Sequence, residues 1–215
     1  MPAAVAAQDG NRVARNKREK LDRIMRTARR LFERKGFEAT TMREIAAKAD
    51  IGHGTLFLYA RRKEDLLVMM FRDEVGRAVD EAIATVPRRP ILEQILHVLG
   101  ALTTHHERNV ALARVFVKEL PFVDDTRHGV AAFMTNLFAR LADLIARAQA
   151  AGELSADAPA MLLTRNLFAI YFNNLQRWLG HEPCGAAERD RWIRDALELQ
   201  LGCFRKTVTQ RRRSR

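Results

Sequence analysis

The fold of this chain is decided by residues 31–66, which read LFERKGFEATTMREIAAKADIGHGTLFLYARRKEDL. Thr41 and Glu44 have the spacing of a capping box and predict the start of a short helix. Asp50-Ile51-Gly52 ends that helix, and a second one is predicted from His53 to Tyr59. Helices this short are marginal alone in water, so they must pack against each other and against a neighbour. The stretch therefore predicts a helix-turn-helix arrangement.

A longer helix is expected on the amino-terminal side, beginning at Lys17 and ending at Gly36. Its apolar positions follow the i, i+3, i+4, i+7 spacing of one helical face: Leu21, Ile24, Met25, Ala28, Leu31 and Phe32. Residues 1–15 lack this periodicity and are expected to form a mobile basic arm. The segment Arg12–Lys20 is a candidate for additional contacts with a polyanion.

The chain beyond residue 62 shows no alternating strand pattern and is expected to be helical throughout. Helices are predicted over residues 63–86, 91–106, 109–118, 126–151, 158–179 and 186–206. The expected fold class is all-α. A three-helix helix-turn-helix domain over residues 16–62 is followed by a larger helical domain over 63–206 and a basic tail over 207–215.

The distribution of charge separates the two parts of the chain. The net charge of the 215 residues is +11, and residues 1–63 contain 16 Lys and Arg against 7 Asp and Glu. Residues 64–204 contain 15 against 19. Composition alone leaves two interpretations open, a polyanion-binding first part or a basic protein whose charge serves solubility.

The location of the protein is expected to be cytoplasmic. No run of about 18 uncharged apolar residues is present, and the first residues have the reverse order of a signal peptide. The two cysteines, Cys184 and Cys203, have no paired spacing. Inert thiols are favoured over a redox sensor, because disulfides are rare in a reducing compartment.

Residues 31–66 resemble the DNA-binding domain of the TetR family of transcriptional regulators. The resemblance lies in the order Lys-Gly-Phe, Thr-Thr, Glu-Ile-Ala, Gly-Thr-Leu, an aromatic pair and Lys-Glu-Asp-Leu. It implies a homodimer that binds double-stranded DNA and responds to a small-molecule effector. The later helices show only the architecture of that family.

The resemblance also implies roles for individual residues. The helix from His53 to Tyr59 would enter the major groove, with His53 and Gly54 nearest the base edges. Thr41, Thr55, Tyr59 and Lys63 match positions that would touch the DNA backbone, and Arg43 lies near Thr41. The candidate DNA-binding residues are Thr41, Arg43, Gly52, His53, Gly54, Thr55, Phe57, Tyr59 and Lys63.

Four of the positions in this stretch depart from the common family pattern. Gly52 replaces a capping Ser or Thr, and Asp50 stands where glycine is usual. Phe57 replaces a tyrosine, which removes a hydroxyl that could bind phosphate, and Ala60 replaces a bulky aromatic residue.

Two further sets of residues are candidates in the larger domain. Aromatic and amide side chains at helical spacing form either an ordinary core or a largely apolar ligand pocket: Phe116, Phe133, Asn166, Phe168, Tyr171, Phe172 and Asn173. The last helix is apolar over most of its circumference and is expected to form a dimer interface: Trp192, Ile193, Leu197, Leu201 and Phe204.

Together these features predict a ligand-responsive transcriptional regulator, expected to be a repressor, that a small, largely apolar effector releases from a palindromic operator. A ligand-independent architectural DNA-binding protein is one alternative, and an all-helical enzyme is another. No catalytic arrangement, cofactor motif or metal-ligand spacing is recognised, and no membrane partner is expected.

Overall fold

The computed structural model describes residues 2–122, 129–180 and 184–205, without the side chains of residues 2–11 and 13. Within these ranges the chain is helical, with one isolated β-bridge between Leu154 and Arg205. The α-helices are α1 Pro2–Lys35, α2 Met42–Lys48, α3 His53–Phe57, α4 Lys63–Ala84, α5 Ile91–Glu107, α6 Val110–Glu119, α7 Val130–Ala150, α8 Ala160–Leu179 and α9 Ala186–Gly202. A 3₁₀ turn at Leu120–Phe122 follows α6. The all-α prediction is confirmed, and the predicted tail over 207–215 lies outside the described residues.

The chain divides into two compact units at Phe71 and Arg72, inside α4. We call them the N-terminal unit and the C-terminal unit. The sequence placed a boundary between residues 62 and 63, whereas the N-terminal unit includes the first nine residues of α4. The Lys63 ammonium explains part of this difference, because its Nζ lies 2.8 Å from the carbonyl oxygen of Phe37. This bond ties the start of α4 to the end of α1.

Helix α1 begins far earlier than the sequence predicted. It runs from Pro2 to Lys35 and so includes most of the segment that was expected to form a mobile basic arm. Apolar periodicity reports burial and not helicity, and this segment is rich in alanine, the strongest helix former. Proline at the first helical position also suits a helix start. In the second half of α1 the predicted inward face is confirmed, since Ile24, Ala28, Leu31 and Phe32 are all buried.

Two turns shape the N-terminal unit, and both need a left-handed backbone. Gly36 ends α1 with φ +85°, as its place after the last apolar residue predicted. Asp50 follows α2 with φ +51°. This geometry explains why glycine is usual at that position, and Asp is among the few other residues that tolerate it.

In the C-terminal unit, α8 packs against α6, α7 and α9, and α5 packs against α7 and α9. Arg189 of α9 is buried and donates from Nη1 to Glu107 Oε1 on α5 at 2.6 Å. Its guanidinium also stacks over the Trp178 ring, 4.6 Å from the centroid. One cation therefore joins α5, α8 and α9. In the described part of the chain, none of the helices has the length and apolarity needed to cross a membrane.

Candidate DNA-binding surface and ligand cavity

The start of α2 is a half-formed capping box. Thr41 Oγ1 accepts a hydrogen bond from the Glu44 backbone N–H at 3.2 Å, as predicted. The Glu44 carboxylate does not reach back, however, because it binds the Lys35 ammonium at 2.6 Å instead. The cap uses one lone pair of the exposed Thr41 hydroxyl, so its O–H proton stays available to an outside acceptor such as a phosphate.

Helix α3 presents two different sides. Leu56 is completely buried and anchors the helix, whereas His53 and Gly54 are exposed. The rings of His53 and Phe57 meet edge to face with 4.8 Å between centroids. Phe57, which cannot offer a hydroxyl to DNA, therefore supports the His53 imidazole that was predicted to lie nearest the base edges. The helix is shorter than predicted, ending at Phe57 before Tyr59.

The packing of the protein does not explain why residue 54 is glycine. A Cβ built at Gly54 would meet no heavy atom within 4 Å, and the backbone of Gly54 is not left-handed. Glycine inside a helix lowers stability by about 1 kcal/mol relative to alanine. A residue that is unfavourable for folding and unneeded for packing fits a surface that another molecule approaches closely.

Lys63 has an internal role that sequence reasoning missed. Its Nζ donates to the carbonyl oxygens of Phe37 and Glu38 at 2.8 and 3.1 Å and lies 4.5 Å from the centroid of the Phe37 ring. Two of its three donors are therefore used inside the N-terminal unit. Substitution of Lys63 would change the stability of this unit as well as any contact with DNA.

The remaining candidate residues surround this helix pair. Arg43 is exposed on α2, Gly52 caps α3 through its backbone without a side-chain bond, and Thr55 and Tyr59 are half-buried. The loop before α4 is ordered by the buried Asp65 carboxylate, which accepts the backbone N–H groups of residues 61 and 62 at 2.8 and 3.0 Å. The N-terminal unit thus brings the predicted set to one neighbourhood around α2 and α3.

The C-terminal unit contains a cavity of about 910 Å³ between α4, α5 and α9. Its apolar wall includes Ala82, Leu96, Leu99 and Ile193, and its polar lining includes His97, Thr103, Thr104, Glu107, Arg108, Arg189 and Arg194. The lining also includes the acids Glu81 and Asp190, so apolar side chains stand beside neutral polar, acidic and basic ones. Apolar surface together with fixed polar groups is found in small-molecule sites.

The seven predicted ligand residues are not among those that line this cavity. Phe116 and Tyr171 are core residues, and Phe133, Phe168 and Phe172 are half-buried. The Phe168 ring packs on Phe138, Tyr171 and Phe172 with centroid separations between 5.1 and 6.1 Å. These aromatic side chains largely cover one another, which is the ordinary core that the sequence left open as an interpretation.

The structure differs most clearly from the predicted ligand pocket at its two amide residues. Asn166 and Asn173 are exposed, so they do not face the interior of the bundle. Asn174 is the buried amide of α8, and its Nδ2 donates to the Ile170 carbonyl oxygen at 2.9 Å. An amide in an apolar helix needs a partner, but periodicity could not decide which of two adjacent residues turned inward.

Tyr171 contacts the cavity wall from behind. Its hydroxyl lies 3.2 Å from Thr103 Oγ1, and Thr103 lines the cavity. Burial raises the pKa of Tyr171 far above its usual range, so the phenol keeps its proton. On the same helix as Thr103, burial lowers the pKa of His106, whose Nδ1 lies 2.5 Å from the Leu102 carbonyl oxygen. Both side chains are therefore neutral near pH 7.

The predicted dimer residues are corrected in the same way. Ile193, Leu197 and Leu201 lie four residues apart and are buried inside their own protomer, at 4% exposure or less. They cannot supply a surface to a partner. Trp192 and Phe204 are half-buried. Apolar residues cover both sides of α9, and the sequence could not show which side its own domain would cover.

A different surface of α8 and α9 is exposed, and we call it the outer face. It comprises Leu162, Ala169 and Asn173 of α8 with Trp192, Ala196 and Leu199 of α9. Leu162 is 55% exposed and Leu199 is 76% exposed, although both are large and apolar. A shallow groove of about 750 Å³ runs between the two helices on this side.

The capped, exposed helix pair of the basic N-terminal unit defines a helix-turn-helix DNA-binding protein. Residues 24–70 match the family described as "Bacterial regulatory proteins, tetR family". This match and the likeness of the chain to named repressors support a transcriptional regulator of the TetR family, and the architecture fits the ligand-responsive repressors of that family.

Named relatives extend this likeness across most of the chain. The transcriptional repressor KstR of Rhodococcus jostii is 29% identical over 186 residues, which are 86% of this chain and 84% of that protein. KstR of Mycobacterium tuberculosis is 29% identical over 188 residues, with 86% and 82% covered. The structure of Thermus thermophilus FadR in complex with lauroyl-CoA is 26% identical, with a TM-score of 0.70 and with 87% of this chain and 97% of that one covered.

We expect Gly54→Ala to separate stability from DNA binding. The space around Gly54 is open within the protein, so the free energy of unfolding should be unchanged or higher by up to about 1 kcal/mol. Affinity for operator DNA should fall at least tenfold, because the added methyl group stands where the helix meets DNA. Urea denaturation and fluorescence anisotropy measure the two quantities.

Gly202→Ala is the matched control, since Gly202 is also a helical glycine with open surroundings. Its operator affinity should equal that of the wild type. Unchanged DNA affinity in Gly54→Ala would show that α3 does not approach DNA through this residue.

Proposed function

We propose that this protein is a dimeric repressor that binds a palindromic operator and leaves it when an amphiphilic effector, with an apolar chain and an anionic head, enters the C-terminal unit. The observation that carries the proposal is the exposed start of α3, where a glycine unneeded for packing lies beside an imidazole supported by Phe57. This arrangement suits a helix that docks in the major groove.

Recognition of DNA divides between base reading and phosphate binding. His53 is the side chain placed to meet a base edge, because it is exposed at the first position of α3. Arg43 and the hydroxyl of Thr41 flank it on α2 and suit phosphate contacts. Contacts to phosphate supply affinity and salt dependence, whereas contacts to base edges supply the sequence preference.

The cavity between α4, α5 and α9 is the proposed effector site. Its apolar wall suits a hydrocarbon chain, and Arg108 at its exposed edge suits an anionic head group. The lauroyl-CoA bound to Thermus thermophilus FadR has this chemistry and supports an acyl thioester of coenzyme A as the effector class. Arg189 is already bound to Glu107 and Asp190, so its main role would be to hold the wall in place.

Helix α4 is the proposed link between effector and operator. It begins at Lys63, which is bonded to the N-terminal unit, and its second half supplies Ala78 and Ala82 to the cavity. An effector acts only as far as it prefers the state that does not bind DNA. A tenfold loss of operator affinity needs a preference of about 1.4 kcal/mol.

Selection from random duplexes tests the DNA-binding part of the proposal. We expect an enriched motif with two inverted half-sites, because a two-fold dimer carries two copies of α3. His53→Asn should change the preferred base at one position in each half-site. Arg43→Gln should weaken binding to all sequences alike and reduce the slope of log affinity against log salt by about 0.9 for each phosphate that is no longer bound. The absence of any enriched motif would contradict the repressor proposal.

The outer face, with its exposed Leu162 and Leu199, is the proposed dimer interface, and Leu199→Glu tests it. A charge placed in an interface loses its hydration, so the protein should become monomeric at micromolar concentration and lose tight operator binding. Sedimentation velocity and DNA titration give the two readouts. Phe122→Glu is the control, because Phe122 is 80% exposed on the turn after α6, away from the outer face. A dimeric Leu199→Glu protein would rule out this interface.

Lauroyl-CoA is the first effector to test, with free coenzyme A and lauric acid as separate arms. Release of the operator should need the whole thioester, because the free acid lacks the contacts of the coenzyme A head with Arg108 and free coenzyme A lacks those of the acyl chain with the apolar wall. Thr104→Trp should raise the concentration needed at least tenfold and leave operator affinity without effector unchanged, since Thr104 lines the cavity and is exposed.

Ala139→Trp serves as the size-matched control, because Ala139 is exposed on α7, which does not line the cavity. Operator titrations with each ligand measure the response. If a ligand that binds the wild type leaves its operator affinity unchanged, the induction mechanism is wrong even when DNA recognition is intact.

A further inference from the structure

Helix α1 extends beyond the part of the N-terminal unit that packs. Among the side chains of α1 that the structure describes, from Arg12 onward without residue 13, the first buried one is Ile24, and the half-buried Leu21 comes just before it. Residues 12–20, which we call the basic extension, span about 12 Å at 1.5 Å per residue. Arg12 and residues 14–19 are exposed. Contact with the core of the protein therefore does not explain this part of the helix.

The charges of the basic extension lie all around the helix. It contains Arg12, Arg15, Lys17, Arg18 and Lys20, and a single acid, Glu19. The Oε1 atom of Glu19 lies 3.6 Å from the Nε atom of Arg15. Successive residues turn by about 100°, so the cations leave no apolar stripe for a protein partner. Such a helix gains most from a polyanion that neutralises several cations at once.

The position of the extension fits DNA as that polyanion. Arg23 Nη2 lies 3.4 Å from the carbonyl oxygen of Asp50, in the turn that leads into α3. The part of α1 from which the basic extension continues therefore lies beside the turn before α3, the recognition helix. The phosphates of one DNA strand advance by about 3.4 Å each along the duplex axis, so about 12 Å of helix laid along that axis spans three or four of them.

We propose that residues 12–20 are a second DNA-binding element, which contacts the phosphates that flank the half-site read by α3. The inference rests on the proposed operator binding and adds a contact outside the helix-turn-helix. In this proposal the extension adds affinity for DNA and salt dependence, but no preference for particular bases.

The test replaces Arg12, Lys17, Arg18 and Lys20 together by glutamine, which is a good helix former and keeps the length of the side chain. Arg15 is retained because it pairs with Glu19. The matched control replaces four exposed cations of the C-terminal unit by glutamine, namely Arg77, Arg88, Arg89 and Lys118. Both variants lose four charges, so a general effect of net charge is the same in each. Circular dichroism and thermal unfolding check that both are folded.

We expect the extension variant to bind the selected operator at least tenfold more weakly at about 150 mM salt, with the same preferred sequence. The slope of log affinity against log salt should fall by about 3 for each protomer bound, at about 0.9 per phosphate. The control should stay within about twofold of the wild type. Hydroxyl-radical footprinting should show protection of the flanking backbone by the wild type and its loss in the extension variant alone.

Equal affinity and slope in the two variants, or no flanking protection by the wild type, would overturn this inference and leave operator binding by α3 intact. Failure of the wild type to select any motif would instead overturn the proposed function. A changed base preference in the extension variant would also contradict the inference, because phosphate contacts do not read sequence.

Discussion

The burial of the inward face of α1 is the constraint on which the rest of the DNA-reading part depends. Helix α3 has five residues and α2 has seven, too few for either to be stable in water. Leu56 and Ile45 are completely buried, and this burial holds the two helices in place. The exposed side of α3 is therefore a consequence of what its other side buries.

Polar groups then adjust the details of this unit. The Lys63 ammonium closes the turn after α1, and the Asp65 carboxylate orders the loop before α4. Glu44 leaves its expected cap for Lys35, so the positively charged end of α1 is held against α2. These bonds fix the loop that joins α1 to α2 and the loop that joins α3 to α4.

The C-terminal unit depends on a different interaction. The buried Arg189, which lines the cavity, joins α5, α8 and α9. A buried cation is tolerated because Glu107 and Asp190 neutralise it and Trp178 stacks on it. A ligand in the cavity would thus act on α4, which begins in the N-terminal unit and lines the cavity with its second half.

The sequence by itself determined the all-α class, the helix pair and its Thr41 cap, the Gly36 stop and the family resemblance. These features are local, because they depend on residues within one or two helical turns of each other. The ends of most later helices also lie within a few residues of their predicted positions, since Pro and Gly mark them locally.

Only the tertiary structure decided which side of each later helix its own protomer covers. Ile193 and Leu199 are both large and apolar on α9, yet one is 4% exposed and the other 76%. Asn173 and Asn174 are adjacent amides, and only the second is buried. Hydrophobicity is not directional, so a helix that is apolar nearly all round can be packed on any side. The packing partners, which are distant in sequence, make that choice, and with it they place the cavity and the outer face.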